Sequence, residues 1–401
     1  MHRHDIQRSS ESQSNFRHED YDICARYMSE IIWEWMIYFD SVEFYYNFAC
    51  MKTVLMCCSD LSYKGGMVTV VNNYLNVARW PDSVKFFFVP THRDAGKLGL
   101  IMQFLKGISS IMRHAGQIDV AHLHVAERGS FIRKGLLVKL LHRMNIPVIL
   151  HHHGAEFEPW YHAQSPRMKR WIDSVLTTAD LNIVLSRRLI PMITDKAPDA
   201  RVMALYNAVA TFNHNIYDPD RREVLFLGRL GERKGSYLLL EAIKNLDDEL
   251  PADIRFNLCG DGEVEEVNQR AREMGIAHRI GHIGWTTGEL KDRILNRTVL
   301  NVLPSYNEGL PMTILETMAR GIPNLSTRVA SIPEVITDGE TGLLMEPGDV
   351  DALTDGLRRL LTDRDLRIKL SDNSYNLICE RFSLDSSVRE LTAVYDRLTR
   401  K

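Results

Sequence analysis

The stretch VLFLGRLGERKGSYLLLEAIKNL, residues 224–246, decides the fold of this 401-residue chain. Four apolar residues typical of a buried strand come first, a loop rich in glycine and basic residues follows, and a helical pattern ends the stretch. Strand–loop–helix units of this kind build parallel sheets whose two faces are covered by helices. We therefore expect an α/β protein.

The same alternation of apolar runs with helical patterns continues on both sides, from Met51 to the C-terminus. A polar segment without a helical period interrupts it at residues 208–220, and the chain length suits two domains. We predict two Rossmann-like domains facing each other across a cleft, at residues 51–207 and 221–384, joined by this linker. Residues 385–401 are expected to form a C-terminal helix, placed to cross back to the first domain. The predicted strands span residues 53–58, 84–89, 120–125, 147–153, 181–185 and 202–206, and then 224–227, 255–259, 280–283, 299–303 and 323–326.

The first fifty residues differ from the rest of the chain. They are polar and then aromatic, contain no glycine or proline, and end where the first predicted strand begins. Their most apolar part is interrupted by Glu34, Asp40 and Glu43, and it falls short of the ~18 uncharged residues that span a bilayer. We expect residues 1–50 to be a leader outside the fold, and the functional protein to begin near Met51.

Composition places the chain among ordinary globular proteins. Apolar residues make up 45% and charged residues 25%, with a formal net charge of −3, so no bulk nucleic-acid partner is expected. The six cysteines include no CxxC pair, and three of them, Cys57, Cys58 and Cys259, lie in apolar runs. We interpret these as buried free thiols.

Two loops have the composition of phosphate sites. Gly65 and Gly66 follow the first predicted strand and precede a helix, where backbone N–H groups can approach an anion, although a tight turn explains them equally well. In the loop 228–236, Arg229 and Lys234 stand before a helix and suit a diphosphate. The order Lys-Gly-Ser excludes a Walker loop, and a solvated basic turn is the alternative.

The stretch PSYNEGLPMTILE, residues 304–316, carries the strongest pattern. Glu308 lies in a loop, and Glu316 lies about two turns into the following helix among apolar neighbours. A carboxylate there needs hydrogen-bond donors, which sugar and ribose hydroxyls supply; two unrelated surface glutamates are the alternative. The stretch CGDGE, residues 259–263, resembles a dinucleotide fingerprint but lacks its third glycine and is acidic, which argues against NAD.

Together these motifs resemble the retaining GT-B glycosyltransferases of family four, also called glycosyl transferases group 1. The resemblance runs in order from about Met51 to the C-terminus. The stretches HVAERGSFIRK, residues 124–134, and ILHHHGAEF, residues 149–157, further resemble members that build bacterial exopolysaccharide, capsule or O-antigen repeats. The resemblance implies transfer of a sugar from a nucleotide-diphosphate sugar to a glycan acceptor, lipid-linked in those members, with retention of anomeric configuration.

The resemblance also implies a role for each site residue. No protein nucleophile is implied, and catalysis would consist of positioning and of stabilising the departing diphosphate. Arg229 and Lys234 would hold the diphosphate, Glu308 would bind the donor sugar, and Glu316 would bind the ribose diol. The backbone amides of Gly309 and Leu310 would contact sugar and phosphate, and Gly65 and Gly66 would close over the phosphates from the other domain. His153 would lie near the donor sugar and β-phosphate.

Metal binding is the alternative use of the histidines. On a strand only alternate residues share a face, so His151 and His153 form one pair and His122 and His124 another. A metal site would require the two strands to converge. The DxD strings at 218–220, 349–351 and 363–365 do not follow apolar strands. We therefore expect no obligatory metal and no other cofactor.

Two other functions remain open from the residues. One is a GT-B UDP-sugar epimerase, and the other is a non-catalytic protein that binds nucleotide sugars. We expect a cytoplasmic protein that contacts the anionic inner face of the cell membrane peripherally, because basic and apolar residues interleave at 128–143 and again at 167–171. An amphipathic helix packed on the sheet, with a solvated basic face, is the alternative for 128–143.

Overall fold

The computed structural model describes residues 51–63, 65–93 and 96–400, and the predicted leader lies outside the described residues. Within them the chain forms two six-stranded, wholly parallel sheets with helices on their faces. The predicted α/β class with two Rossmann-like domains is therefore confirmed. None of the helices in this part of the chain combines the length and the apolar character that crossing a membrane requires.

The first half holds the sheet with the order β2-β1-β3-β4-β5-β6. Its strands are β1 Lys52–Cys58, β2 Val84–Pro90, β3 Val120–Val125, β4 Val148–His152, β5 Leu181–Val184 and β6 Val202–Ala204. Its helices are α1 Gly66–Asn72, α2 Lys97–His114, α3 Gly129–Arg143, α4 Phe157–His162, α5 Pro166–Thr178 and α6 Ile190–Thr194.

The second half repeats this plan with the order β12-β11-β10-β7-β8-β9. Its strands are β7 Glu223–Leu227, β8 Arg255–Cys259, β9 Ile280–Gly284, β10 Thr298–Leu303, β11 Asn324–Thr327 and β12 Leu343–Met345. Its helices are α7 Ser236–Leu246, α8 Val264–Glu273, α9 Gly288–Arg297, α10 Met312–Met318, α11 Val350–Thr362 and α12 Arg364–Arg381, followed by the last helix, α13 Leu384–Thr399. The sequence analysis missed the three-residue strand β12.

The central strands are buried on both faces, as parallel sheets require. All six residues of β3 and all six of β10 are buried. Strand β3 nevertheless carries His122 and His124, and β10 carries Asn301, so polar side chains are built into the interior of both halves.

The last helix, α13, packs against the first half of the chain. It begins at Ser383, whose hydroxyl accepts a hydrogen bond from the amide of Ser386. Its Tyr395 hydroxyl lies 2.8 Å from His122 Nδ1 on β3, and its Asp396 forms an ion pair of 2.8 Å with Lys52 on β1. The chain therefore passes from the first half to the second before β7 and returns after α12.

A second contact joins the halves at Glu334, which lies between β11 and β12. Its carboxylate accepts hydrogen bonds from the backbone amides of Arg187 and Arg188, at 3.2 and 2.9 Å, and from the Tyr206 hydroxyl at 2.6 Å. Burial acts to raise the pKa of Glu334, but the hydrogen bonds from Tyr206 and the two amides outweigh it and hold the pKa below its usual value. An ionised carboxylate thus fastens the second half to the first.

Candidate functional site

The carboxyl ends of the two sheets meet across a cleft. The side-chain amide of Asn307, in the loop after β10, donates a hydrogen bond of 3.0 Å to the carbonyl of Ala155, in the segment after β4. In the same loop, Gly309 lies against the carbonyl of His153, and a Cβ atom at Gly309 would be 3.6 Å from that oxygen. Loops that follow strands of different halves therefore touch, and the sequence-predicted site residues lie around this contact.

Lys234 and Glu308 are brought together as a buried ion pair. The Lys234 ammonium donates to Glu308 Oε1, and the Ser305 hydroxyl donates to the same oxygen at 2.7 Å. The Glu308 side chain is only 5% exposed. Lys234 ends a short 3₁₀ turn that is closed by Gly235 at φ 74°, a conformation that glycine adopts without strain. Two loops of the second half thus place opposite charges side by side at the cleft.

Arg229 lies apart from that pair. Its side chain is two-thirds exposed, and its guanidinium lies 3.7 Å from the carboxylate of Asp261. Asp261 is one of the acidic residues of the stretch 259–263 that argued against NAD, and in the structure its charge is partly balanced by Arg229. Of the two basic residues predicted to hold the diphosphate, only Lys234 is already in contact with another predicted site residue.

Glu316 projects from α10 and has a partner that the sequence analysis did not identify. Its carboxylate forms an ion pair of 2.7 Å with Lys291 on α9, and its side chain is 20% exposed. This lysine meets the need for a donor that the apolar surroundings of Glu316 predicted. Lys291 carries no local sequence signal, because it approaches Glu316 only through the packing of two helices.

The glycines of the CGDGE stretch allow neighbouring loops to pack closely. A Cβ atom at Gly260 would collide with the carbonyl of Gly228, and one at Gly262, whose φ is 103°, would collide with the carbonyl of Leu230. The backbone amide of Leu230 donates to the carbonyl of Asp261 at 2.6 Å. The partial likeness to a dinucleotide fingerprint therefore has a packing cause.

His153 lies at the cleft end of a row of four histidines. Strands β3 and β4 are neighbours in register, so His122, His124, His151 and His153 all point to one face of the sheet. His124 Nδ1 lies 2.9 Å from His153 Nε2, and His122 Nε2 lies 3.1 Å from His151 Nδ1. Burial lowers the pKa of His153 to about 3, so the ring is neutral at physiological pH.

Two charged residues beneath the cleft were not identified as site residues. Lys134, on α3, is completely buried, and its ammonium has no hydrogen-bond partner among the described residues. Burial lowers its pKa to about 8. The Glu127 carboxylate lies against Gly154, where a Cβ atom would collide with it, and its buried Oε2 has no hydrogen-bond partner within the described part of the chain. Charged side chains in an amphipathic segment are usually exposed. The local sequence around Lys134 and Glu127 therefore gave no sign that their charged atoms are buried.

The exposed apolar surface of the first half lies mainly on α2 rather than on α3, the helix formed by most of the segment 128–143. Phe131, Lys134 and Leu137 of α3 are buried, so the segment 128–143 is the amphipathic helix packed on the sheet that the sequence analysis gave as its alternative. Helix α2 instead exposes large apolar side chains three, four or seven positions apart. They are Leu98, Ile101, Met102, Leu105 and Met112, five of the twelve exposed large apolar side chains among the described residues.

Lys134 generates a prediction about stability. We expect Lys134→Met to raise the free energy of unfolding at pH 7 by on the order of 3 kcal/mol, because the buried ammonium is removed and a side chain of similar length remains. The folded pKa of about 8 lies below the ordinary value of 10.5, so the wild type regains stability as the pH rises between these values. The advantage of the variant should therefore shrink from pH 8 to pH 10.5, as measured by urea unfolding.

The control for this prediction is Lys139→Met on the same helix. The Lys139 ammonium donates to the hydroxyls of Ser174 and Thr178, both at 2.6 Å, so its loss should lower stability or leave it unchanged. An advantage of Lys134→Met that stays constant up to pH 10.5, or its absence at pH 7, would contradict the explanation.

Comparison with known proteins gives three results. Residues 210–377 match the family model described as glycosyl transferases group 1. Alpha-D-kanosaminyltransferase of Streptomyces kanamyceticus is 26% identical over 323 residues, covering 74% of this chain and 81% of that protein. The lipopolysaccharide core biosynthesis glycosyltransferase LpsE of Rhizobium meliloti is 29% identical over 168 residues, covering 42% of this chain and 47% of the relative. The match to LpsE thus spans about half of that protein's length.

Among solved structures, the fold is similar to that of HepE from Anabaena, determined in complex with UDP-glucose. The TM-score is 0.67 at 16% sequence identity, and the likeness covers 86% of this chain and 99% of that chain. At this identity the comparison establishes the shared fold, which is the two-domain GT-B architecture.

Proposed function

We infer from the match of residues 210–377 to the family model that this chain is a glycosyltransferase of the glycosyl transferases group 1 family, and on that premise we propose a specific reaction. It moves a sugar from a nucleoside diphosphate sugar to a lipid-linked glycan acceptor, with retention of anomeric configuration, in the synthesis of a bacterial surface polysaccharide. The observation that carries the proposal is the buried Lys234–Glu308 pair at the cleft. The relative named for lipopolysaccharide core synthesis supports the acceptor class.

The Lys234–Glu308 pair suits a diphosphate sugar because such a ligand offers a group that can replace each of the two side chains. On donor binding, the diphosphate takes the place of Glu308 beside Lys234, and sugar hydroxyls take the place of Lys234 beside Glu308. Charge-assisted hydrogen bonds of this kind are about twice as strong as neutral ones. Because Ser305 also donates to Glu308, the carboxylate keeps a fixed orientation during the exchange.

The remaining site residues surround this pair. Gly309 lies between Leu185 and the carbonyl of His153, so its backbone is at the contact between the two halves. Gly66 lies opposite Met312 at the start of α10, where a Cβ atom would be 3.9 Å from the Met312 side chain. We assign Arg229 and Lys234 to binding of the diphosphate and Glu316 to binding of the ribose. The sugar and its phosphate are assigned to Glu308, Gly309, Leu310 and His153. Gly65 and Gly66 are assigned to closure over the donor.

The proposed transfer is a front-face substitution at the anomeric carbon. The acceptor hydroxyl oxygen forms a bond to that carbon while the bond from the carbon to the β-phosphate oxygen breaks, and the electron pair leaves with the diphosphate. The acceptor proton passes to a phosphate oxygen, so the products are the extended acceptor and a nucleoside diphosphate. Lys234 stabilises the charge that develops on the leaving group. We propose that no metal takes part in this step.

A transfer assay tests the proposal. Thermal-shift screening of UDP-, GDP- and ADP-sugars first identifies the donor, because a ligand at about 100 times its Kd stabilises the fold by about 2.7 kcal/mol. With that donor, Lys234→Ala and Arg229→Ala should abolish transfer to lipid-linked acceptors. Arg229→Ala changes an exposed side chain and should keep the wild-type stability, whereas Lys234→Ala should lower stability because Glu308 loses its buried partner. The anomeric proton of the product, observed by NMR, should report retention.

Arg222→Ala is the matched control for these variants. Arg222 is an exposed arginine at the opposite edge of the same sheet, before β7, where it pairs with Asp253 at 3.4 Å. Its variant should transfer sugar at the wild-type rate. Near-wild-type turnover in both site variants would refute the phosphate assignment, and an inverted product would refute retention.

The two glutamates should affect different parts of the donor. We expect Glu316→Gln to weaken binding of the free nucleoside diphosphate and of the whole donor, because a neutral amide accepts ribose hydrogen bonds less strongly. Glu308→Gln should weaken binding of the whole donor more than binding of the nucleoside diphosphate. Calorimetry measures both ligands, with Glu241→Gln, an exposed change on α7, as the control. Equal losses for both ligands in both variants would contradict this division.

We also propose that the protein contacts the membrane through α2. Its exposed apolar side chains follow one face of an 18-residue helix, and Leu98 is 74% exposed. The same helix carries the exposed residues Lys106 and Arg113 and no acidic residue, so its charge complements an anionic bilayer. Each basic residue near such a surface contributes about 1 kcal/mol. A lipid-linked acceptor would be presented at this surface.

Liposome co-sedimentation tests this proposal. We expect wild-type protein to pellet with anionic vesicles at low salt, and the double variant Ile101→Ser/Leu105→Ser to lose most of this binding, because its apolar contribution is removed. The matched double variant Ile132→Ser/Leu136→Ser removes the exposed apolar residues of α3 and should pellet like the wild type. Equal pelleting of all three proteins, or no salt-sensitive pelleting of the wild type, would contradict the assignment.

A further inference from the structure

Three histidines form a compact group in the interior of the first half. His122 and His124 come from β3 and His151 from β4, and all three are fully buried. One ring nitrogen from each lies within 4.8 Å of the others. The sequence analysis made metal binding conditional on the convergence of these two strands, and their parallel register brings the side chains together.

Two of the ring nitrogens lack any partner. His124 Nε2 and His151 Nε2 are buried and make no hydrogen bond within the described part of the chain. A buried polar atom left unsatisfied costs about 1–3 kcal/mol, so two in one cluster are a considerable loss unless something else binds there. In the neutral tautomer that carries its proton on Nδ1, each Nε2 is an acceptor and can bind a metal.

The opposite ring nitrogens are held as they are in metal sites. A histidine that binds a metal usually gives its other ring nitrogen to a hydrogen-bond partner, which fixes the ring orientation. His122 Nδ1 lies 2.8 Å from the Tyr395 hydroxyl, and His124 Nδ1 lies 2.9 Å from His153 Nε2.

We propose that His122, His124 and His151 bind a divalent transition metal ion such as Zn²⁺. Zn–N bonds of about 2.0–2.1 Å place tetrahedral ligand atoms roughly 3.4 Å apart, so the three rings must rotate to bring their nitrogens closer together. In this rotation His122 Nε2 exchanges its 3.1 Å contact with His151 Nδ1 for the metal ion. The fourth position is left to water. The ion joins β3 to β4 and, through Tyr395, to α13.

Apart from His153, whose Nε2 lies 2.9 Å from Nδ1 of the ligand His124, the residues assigned to the donor are separate from this site. The three ligands lie on strands of the first half, whereas Lys234, Glu308 and Glu316 belong to the second. The metal is therefore structural, and it is compatible with a transfer step in which no metal takes part. The proposal does not rest on the proposed reaction.

The test is metal binding by the full chain, purified without a polyhistidine tag. Elemental analysis should find about one equivalent of Zn²⁺, and Co²⁺ added after chelation should give the absorption of a tetrahedral site. His124→Gln and His151→Gln should bind at least tenfold more weakly. His152→Gln is the matched control, because His152 lies on the opposite face of β4 and bonds to Asn182 at 3.1 Å.

Tyr395→Phe provides a variant that keeps every ligand. Loss of the hydroxyl that orients His122 should weaken Co²⁺ binding about 10- to 100-fold, as is typical of such partners. If the histidine variants do not fold, the Co²⁺ spectrum of the wild type and this variant decide the matter. Absence of any bound ion from wild-type protein offered Zn²⁺, Co²⁺, Ni²⁺ and Cu²⁺ would overturn the proposal, as would undiminished binding in the folded histidine variants or in Tyr395→Phe.

Discussion

The loops at the carboxyl ends of β7, β8 and β10 pack backbone against backbone, and the candidate donor site depends on this close approach. The amide of Gly228 donates to the carbonyl of Cys259 at 2.9 Å, and that of Tyr306 donates to the carbonyl of Arg233 at 2.9 Å. Gly235 faces the carbonyl of Pro304 so closely that any Cβ atom would collide with it. A larger residue would separate the two loops that carry Lys234 and Glu308.

The charges of the site are balanced before any ligand binds. Arg229 faces Asp261, Lys234 is paired with Glu308, and Glu316 is paired with Lys291. A buried charge without a partner is strongly destabilising, so this pairing lets the site keep ionised groups at low exposure. Binding of an anionic, hydroxyl-rich ligand then exchanges one set of partners for another, and the desolvation of Glu308 has largely taken place during folding.

Much of the fold could be predicted because parallel strands have a local signature. The apolar run of β7 and the glycine-rich loop after it, residues 228–235, are visible without knowledge of their neighbours. The placement of Lys234 beside Glu308 follows from the rule that parallel strands end at one edge of the sheet. The surface of α2 that we propose to contact the membrane could not be identified from the sequence, because its apolar residues have the same spacing as those of a helix packed on a sheet. Lys291 reaches Glu316 only through the packing of two helices, and Tyr395 reaches His122 only because the last helix returns to the first half. No local sequence pattern predicts either contact.

The return of the chain after α12 limits how the two halves can move. Near the linker, the amide of Val209 donates to the carbonyl of Phe382 and the amide of Leu384 donates to that of Val209, both at 3.0 Å, so the two crossing segments are bound to each other. This double crossing is the place at which a hinge between the two halves would lie. Because the two segments are joined at one place, rotation about this place is the motion that we expect to open and close the cleft. We therefore expect a ligand between the two halves to be enclosed and released by one angular movement about the crossing.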